Sequence, residues 1–481
     1  MSRRAGVLAL ALLFGCGGGG TDPNPDPGPG PGPGPDPDPA PVAAVSVTPD
    51  GQLVVVDGSG QLTAEVTDSD GTVLTGRTVT WTSLDDTLAT VSNGGEVSAI
   101  SYGDARIVAT SEGKSDTVIV RARLRFTDVV AGGNVTCGLL ASGSAWCWGL
   151  NRNGGLGARL AANKSEVPVR VADGHHFTTI TVGGTHACGL DADLAAWCWG
   201  DNFAGTLGDG IPSAGVDHPV QVVGEHRFLA ISAGVDNTCA LDESRLAYCW
   251  GAVSLGRIPG RTSENAHFPV AIAAPDTPQP LTFESIQVGN TSTCGIATEI
   301  DGWGLWCWGD NQYGQIVEAT PDPVYAEVDA NVTPSTYGVG PGFTCYGGVD
   351  KDTRQNPVGG CRGITFEDSR VSSVRDYPVA QAIDMEAGVG FVCARFDAGV
   401  LRCWGDNSAG ELGIGSTSDP VEVPVQPDGG HTWTTVDVGW NNVCAIATDG
   451  IAYCWGADTN GNLGIGDGES RSEPTPVAGQ L

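Results

Sequence analysis

The sequence predicts an all-β protein, a seven-bladed β-propeller preceded by a small β-sandwich. Three observations predict it. The stretch AWCWGLNRNGGLG at 145–157 returns as AWCWGDNFAGTLGDG at 196, AYCWGAVSLG at 247, LWCWGDNQYGQI at 305, LRCWGDNSAGELGIG at 401 and AYCWGADTNGNLGIG at 452. The first cysteine of each repeat falls at 137, 188, 239, 294, 345, 393 and 444, and about 50 residues with four short strands is the size of one propeller blade. Gly supplies 72 residues and Met only 2, a balance that suits short strands and tight turns better than helices.

The first segment reads as an export signal over residues 1–15. Arg3 and Arg4 form its charged start, and Ala5–Phe14 is an apolar run too short to span a bilayer. Leu13-Phe14-Gly15-Cys16 resembles a bacterial lipobox, which implies lipid on Cys16 as the new N-terminus. The alternative is an ordinary secretory signal with a chance cysteine. Residues 16–41 continue as a Gly, Pro and Asp-rich linker that cannot build a core. Its alternating prolines favour extended chain reaching roughly 60 Å at ~3.1 Å per residue.

Residues 42–123 alternate apolar and polar residues between Asp-Gly and Asn-Gly turns, which predicts six or seven short strands in an antiparallel sandwich with Trp81 as the core aromatic. Val47-Thr48-Pro49, Leu62-Thr63-Ala64, Thr80-Trp81-Thr82-Ser83 and Ala89-Thr90-Val91-Ser92 resemble the bacterial Ig-like group 2 domain. That resemblance implies an Ig-like β-sandwich acting as a spacer or adhesive module. Asp68-Ser69-Asp70-Gly71 lacks the third acidic position of a calcium loop and reads as a polar hairpin turn.

The repeats fill 124–481. Gly183-Gly184-Thr185-His186-Ala187-Cys188 with Trp199-Gly200-Asp201-Asn202, and Gly388-Val389-Gly390 with Trp404 to Gly413, resemble the regulator-of-chromosome-condensation repeat. The resemblance implies a seven-bladed ring.

Each repeat carries a second cysteine, and antiparallel pairing about the intervening turn brings the two opposite each other, within disulfide reach. The expected pairs are Cys137–Cys147, Cys188–Cys198, Cys239–Cys249, Cys294–Cys307, Cys345–Cys361, Cys393–Cys403 and Cys444–Cys454. Strand alternation sets Trp146 and Trp148 on the face opposite Cys147, so that tryptophan fills one seam between blades and the disulfide the other. An eleven-residue loop closed this way is worth about 2.7 kcal/mol in the entropic account. Disulfides need an oxidising compartment, in agreement with export.

A formal charge of −32 repels nucleic acid and anionic lipid. No CxxC, HExxH, GxSxG triad or P-loop lysine occurs, so neither a cofactor, a bound metal nor an enzyme activity is expected. The seven histidines look scattered, with His175-His176 in a solvated loop. Asp201-Asn202, Asp310-Asn311 and Asp406-Asn407 recur at one repeat position, which favours side-chain-to-backbone turns over calcium or sugar ligation.

The repeat breaks in blades four and five, where the hairpins lengthen to CGIATEIDGWGLWC and CYGGVDKDTRQNPVGGC. Trp303, Lys351 and Arg354 on these hairpins form a candidate binding rim, against drift in a tolerant loop. The sequence thus reads as an outer-membrane or cell-surface lipoprotein of a bacterium, touching the membrane only through Cys16 and binding a protein or glycan as an adhesin or receptor. A secreted enzyme inhibitor, and a polysaccharide-directed enzyme with channel carboxylates, are the alternatives; nucleotide exchange on a cytosolic GTPase conflicts with export.

Overall fold

Alternation with period two builds the first unit, because it turns every second side chain inward. In the strand Ala44–Thr48, Val45 and Val47 are buried between exposed neighbours, and they join Val54, Val66, Val97, Ile107 and Val120 in one core. The structure, a computed structural model, describes residues 40–480 apart from 262–263, 274–280, 300–301, 319, 321, 354–355 and 364–377. Cys16 and Arg354 therefore lie outside the described residues. No helix among the described residues is long and apolar enough to cross a membrane.

The sandwich has a four-stranded sheet in the order Gln52–Val55, Lys114–Arg123, Gly103–Ser111, Thr80–Ser83, faced by Ser59–Gln61, Glu96–Ala99, Ala89–Val91 and by the pair Ala44–Thr48 and Thr63–Thr67. It is not wholly antiparallel: Gln52–Val55 runs parallel to Lys114–Arg123. The chain crosses between sheets at Asp50-Gly51, which is pinned to Ile119 by bonds of 3.0 and 2.9 Å, and so enters beside the last strand in the same direction. Trp81 is a second correction. It is half-buried at the edge of a core filled by smaller side chains. Asp68 Oδ1 accepts the Asp70 and Thr72 amides at 2.9 Å each, making the Asp68–Gly71 stretch a turn.

From Phe126 the described residues form seven sheets, each from consecutive strands. They begin at Phe126, Phe177, Phe228, Thr282, Val332, Asp384 and Trp433; six have four strands, and the fifth has three among the described residues. In each, the innermost strand ends at a glycine, and the next blade comes within 2.1 to 3.1 Å of where a Cβ would stand. A Cβ on Gly132 would lie 2.2 Å from the Gly183 oxygen, on Gly183 2.1 Å from Gly234, and on Gly234 2.4 Å from Gly289. The circuit continues from Gly340 to Gly388 and Gly439, and a Cβ on Gly439 would lie 2.3 Å from the Gly132 oxygen, which closes the ring.

Seven disulfides staple the hairpins, Cys137–Cys147, Cys188–Cys198, Cys239–Cys249, Cys294–Cys307, Cys345–Cys361, Cys393–Cys403 and Cys444–Cys454, each between directly paired residues. The tryptophans and the staples meet from opposite sides of each seam. Trp199 packs with Cys137 and Cys147, Trp250 with Cys188 and Cys198, Trp455 with Cys393 and Cys403, and Trp148 with Cys444 and Cys454. Blade five lacks the tryptophan, and Tyr337 and Tyr346 cover Cys294 and Cys307 instead.

The repeat's closing glycines follow from the same seam. The indole Nε1 of Trp250 donates to Thr206 O at 2.8 Å, and that of Trp455 to Glu411 O at 2.8 Å. The glycine two residues on, Gly208 or Gly413, has positive φ and lies against that indole.

Candidate functional site

Strand direction gives the ring two distinct ends. Each innermost strand runs from the end carrying the stapled hairpin turns to the end carrying the glycine circuit and the WGDN loops. The inner strands enclose a cavity of about 480 Å³ along the ring axis.

Its wall is sewn together by side chains that accept the amide of the next blade. Thr181 Oγ1 accepts from Ala233 N at 2.9 Å, Ser232 Oγ from Val288 N at 2.9 Å, and Gln287 Oε1 from Val339 N at 3.0 Å. Gln287 Nε2 reaches across to Glu386 Oε2 at 2.5 Å, and the Asp437 carboxylate accepts the Ala131 amide.

Four carboxylates, Asp128, Asp384, Glu386 and Asp437, face this cavity from blades one, six and seven. Burial pushes Asp128 up to about 6, with the Asp384 charge adding to it and the Val129 amide opposing. Burial raises Asp384, against the pull of Arg395. It raises Glu386 and Asp437 further, with help from neighbouring carboxylates. Desolvated carboxylates this close share protons instead of all ionising. No group of three or more metal-ligating side chains stands together among the described residues. Glu386 and Asp437 accept from other blades, whereas Asp128 and Asp384 are held within their own, by the Val129 amide and by Arg395.

At the glycine end the turns between the first two strands of successive blades frame the mouth of this cavity with Val235, Asn290, Pro341 and Trp440, and Val389, 41% exposed, stands in the corresponding turn of blade six. Trp440 covers Gly133 across the closure seam, and the Val389 amide donates to Trp440 O at 2.7 Å. Around the mouth, the loops of the same end expose Phe203 (68%), Leu255 (43%) and Tyr313 (43%).

The residues singled out in the sequence distribute differently. Trp303 stands opposite Thr298 near the tip of the blade four hairpin and is 47% exposed. Lys351 lies on the same end, but its Nζ is engaged 2.9 Å from Glu327 Oε1 in a half-buried ion pair. The rim is therefore less available than its composition suggests, and Arg354 falls outside the described residues.

Asn202, Asn311 and Asn407 are turn residues. Each Oδ1 accepts the amide five residues on, Leu207, Ile316 and Leu412 respectively, at 3.1, 2.9 and 3.0 Å. The preceding aspartates cap the amides of Phe203, Gln312 and Ser408.

The histidines are not scattered. His175, His226 and His431 occupy one repeat position, with ring centroids 4.3, 4.6 and 4.4 Å from Trp197, Tyr248 and Tyr453. His175 is half-buried there, so only His176 fits the solvated-loop expectation. His186 is fully buried, bonded through Nε2 to Thr238 Oγ1 of the next blade at 2.9 Å, and burial lowers it to about 4, so it is neutral.

Residues 41–121 match the bacterial Ig-like domain (group 2) family. Residues 126–154, and 142–190 with 449–480, match two families of the regulator of chromosome condensation (RCC1) repeat. The ultraviolet-B receptor UVR8 of Arabidopsis thaliana is 25% identical over 374 residues, 72% of this chain and 80% of that protein. The E3 ubiquitin-protein ligase HERC2 of Mus musculus is 23% identical over 364 residues, 74% of this chain, which spans only 6% of the ligase. Among solved structures, human WBSCR16 superposes with a TM-score of 0.56 at 18% identity, over 70% of this chain and 94% of that one.

Proposed function

From a chain that carries a bacterial Ig-like group 2 domain followed by regulator-of-chromosome-condensation repeats, we propose an exported, lipid-anchored envelope protein whose propeller is a binding head for a protein partner, of adhesin or receptor type. One observation carries the reading: Ala40 lies at the end of the sandwich away from the ring, and the cavity mouth lies at the end of the ring away from the sandwich. Arg77 bonds both Ala40 O and Glu112, in the turn between Gly103–Ser111 and Lys114–Arg123, whereas the opposite end of that strand pair continues through Leu124 into the propeller. The sandwich meets the ring at its hairpin end, where Asp57 contacts Ser142. A tether entering at Ala40 then leaves the mouth around Trp440 and Val389 facing outward.

Several features support the tethered binder over an enzyme. Seven disulfides suit an oxidising compartment, and the channel carboxylates are engaged in ring contacts. Exposed aromatic residues around a mouth are the composition of a protein contact site. The same geometry favours the glycine end over the Trp303 rim, which shares its end with the sandwich.

The test has two parts. Intact mass of the full chain recovered from bacterial membranes is expected to show acyl chains on Cys16, with Cys16→Ser released from the membrane fraction. A partner cross-linked on whole cells is expected to be lost with Trp440→Ser plus Val389→Ser and retained with Trp303→Ser. An unmodified Cys16 overturns the anchor, and loss of the partner only with Trp303→Ser overturns the face.

A further inference from the structure

A ring must close, and each of the seven sheets here is made of consecutive strands. Among the described residues no strand from one chain end joins the sheet of the other. The seam between blade seven and blade one is thus joined by side chains and loops, while the covalent chain runs across every other seam.

The sandwich sits astride that seam. On blade one, Asp57 Oδ2 accepts from Ser142 Oγ at 2.8 Å and Ser144 Oγ at 2.6 Å, and its Oδ1 faces Arg170 Nη1 at 2.8 Å. Arg170 also donates to Ile100 O at 3.3 Å and lies over the Trp146 ring. Tyr102 packs on Trp146 with centroids 5.8 Å apart and donates to Pro168 O at 3.1 Å.

The same tyrosine reaches the C-terminal segment. Its ring covers Gly479, where a Cβ would come within 2.5 Å of it. The Gly479 carbonyl accepts the amide of Leu124 at 2.8 Å, and Gln480 in turn bonds the Ala452 backbone of blade seven in both directions at 2.9 Å. Val56 of the sandwich shares one buried cluster with Trp146 and Trp148 of blade one and Cys444, Cys454 and Val477 of blade seven.

We infer that the Ig-like domain is the clasp of the propeller: Tyr102, Asp57 and Val56 hold the first and last blades together in the place where a shared strand would otherwise join them. It is a structural part of the ring and not a passive spacer, whatever the head binds. A partly buried, charge-assisted contact and an aromatic stack at one seam are the kinds of interaction that set local opening.

The experiment is hydrogen exchange on the full chain. Wild type is compared with Asp57→Asn, Tyr102→Ala and, in the sandwich core away from the seam, Ile107→Ala. If the domain is a clasp, Asp57→Asn and Tyr102→Ala raise exchange about tenfold in Phe126–Ala131 and Asn442–Ala447 and leave Phe228–Ala233 of blade three unchanged. Ile107→Ala, by loosening the clasp as a whole, then raises exchange at the same seam. Should Tyr102→Ala not fold, the milder Asp57→Asn still decides. Seam exchange unchanged in Asp57→Asn and Ile107→Ala, with only sandwich amides affected, overturns the inference.

Discussion

Trp148 Nε1 donates to the carbonyl of Asn462 at 3.0 Å, joining residues of the first and last blades across the closure seam. Asn462 O also accepts Thr136 Oγ1 at 2.8 Å, so removing the indole does not orphan the carbonyl. Trp148→Phe should therefore cost about 2 kcal/mol, from the lost bond and the void beside Gly464. Equilibrium unfolding in urea measures it. A loss below about 0.5 kcal/mol, the size of a surface substitution, would mean the seam relaxes around the smaller ring.

The loop asparagines give a sharper test of turn against ligand. Asn202 is fully buried, accepts Leu207 N and donates to Ile211 O at 2.9 Å. Asn202→Ala leaves the Leu207 amide unpaired and should cost about 1–3 kcal/mol. Asn202→Asp should cost more, because a carboxylate cannot donate to Ile211 O and stands beside Asp209. Millimolar calcium should leave the melting temperature of the wild type unchanged; a rise abolished by Asp201→Asn would restore the ligand reading.

Legibility followed sequence proximity. Cys137 and Cys147 sit across one turn, so period-two geometry pairs them and sends Trp148 to the other face. The parallel strand Gln52–Val55 carries no such mark, because direction depends on which sheet the Asp50-Gly51 turn enters. Asp128, Asp384, Glu386 and Asp437 converge from blades that neighbour one another across the closure but lie far apart in sequence, at positions outside the repeat's signature. Tyr102 and Asp57 look like turn residues until the two domains meet. One missed signal was available: His175, His226 and His431 each precede by two residues the aromatic that opens an innermost strand.

Burial orders the disulfides by accessibility. Both cysteines of six staples are fully buried, whereas Cys361 in blade five keeps 8% exposure. Reductant without denaturant should open Cys345–Cys361 first, since exchange requires access to a sulfur. Differential alkylation followed by peptide mass spectrometry reads the order. Prior opening of Cys239–Cys249, inside an intact seam, would contradict it.

The channel carboxylates fix the sign of the pH dependence. Their folded values lie above those of the unfolded chain, Asp128 at about 6 against 3.8, so between these values the folded state holds more protons. Stability then falls as pH rises through that window. Asp57 works the other way. Burial raises it, but the Ser144 and Ser142 hydroxyls and Arg170 together bring it below its ordinary value, so its contribution is present above about pH 4 and lost as pH falls further. The melting temperature should therefore peak near pH 4 and fall from there towards pH 7. Asp128→Asn should flatten the neutral side of that curve by about 1–3 kcal/mol. Asp437→Asn, which keeps an oxygen for the Ala131 amide, should flatten it too. Asp57→Asn should flatten only the acid side. A protein more stable at pH 7 than at pH 5, with Asp128→Asn unchanged in slope, would mean that these carboxylates ionise freely and that water fills the channel around them.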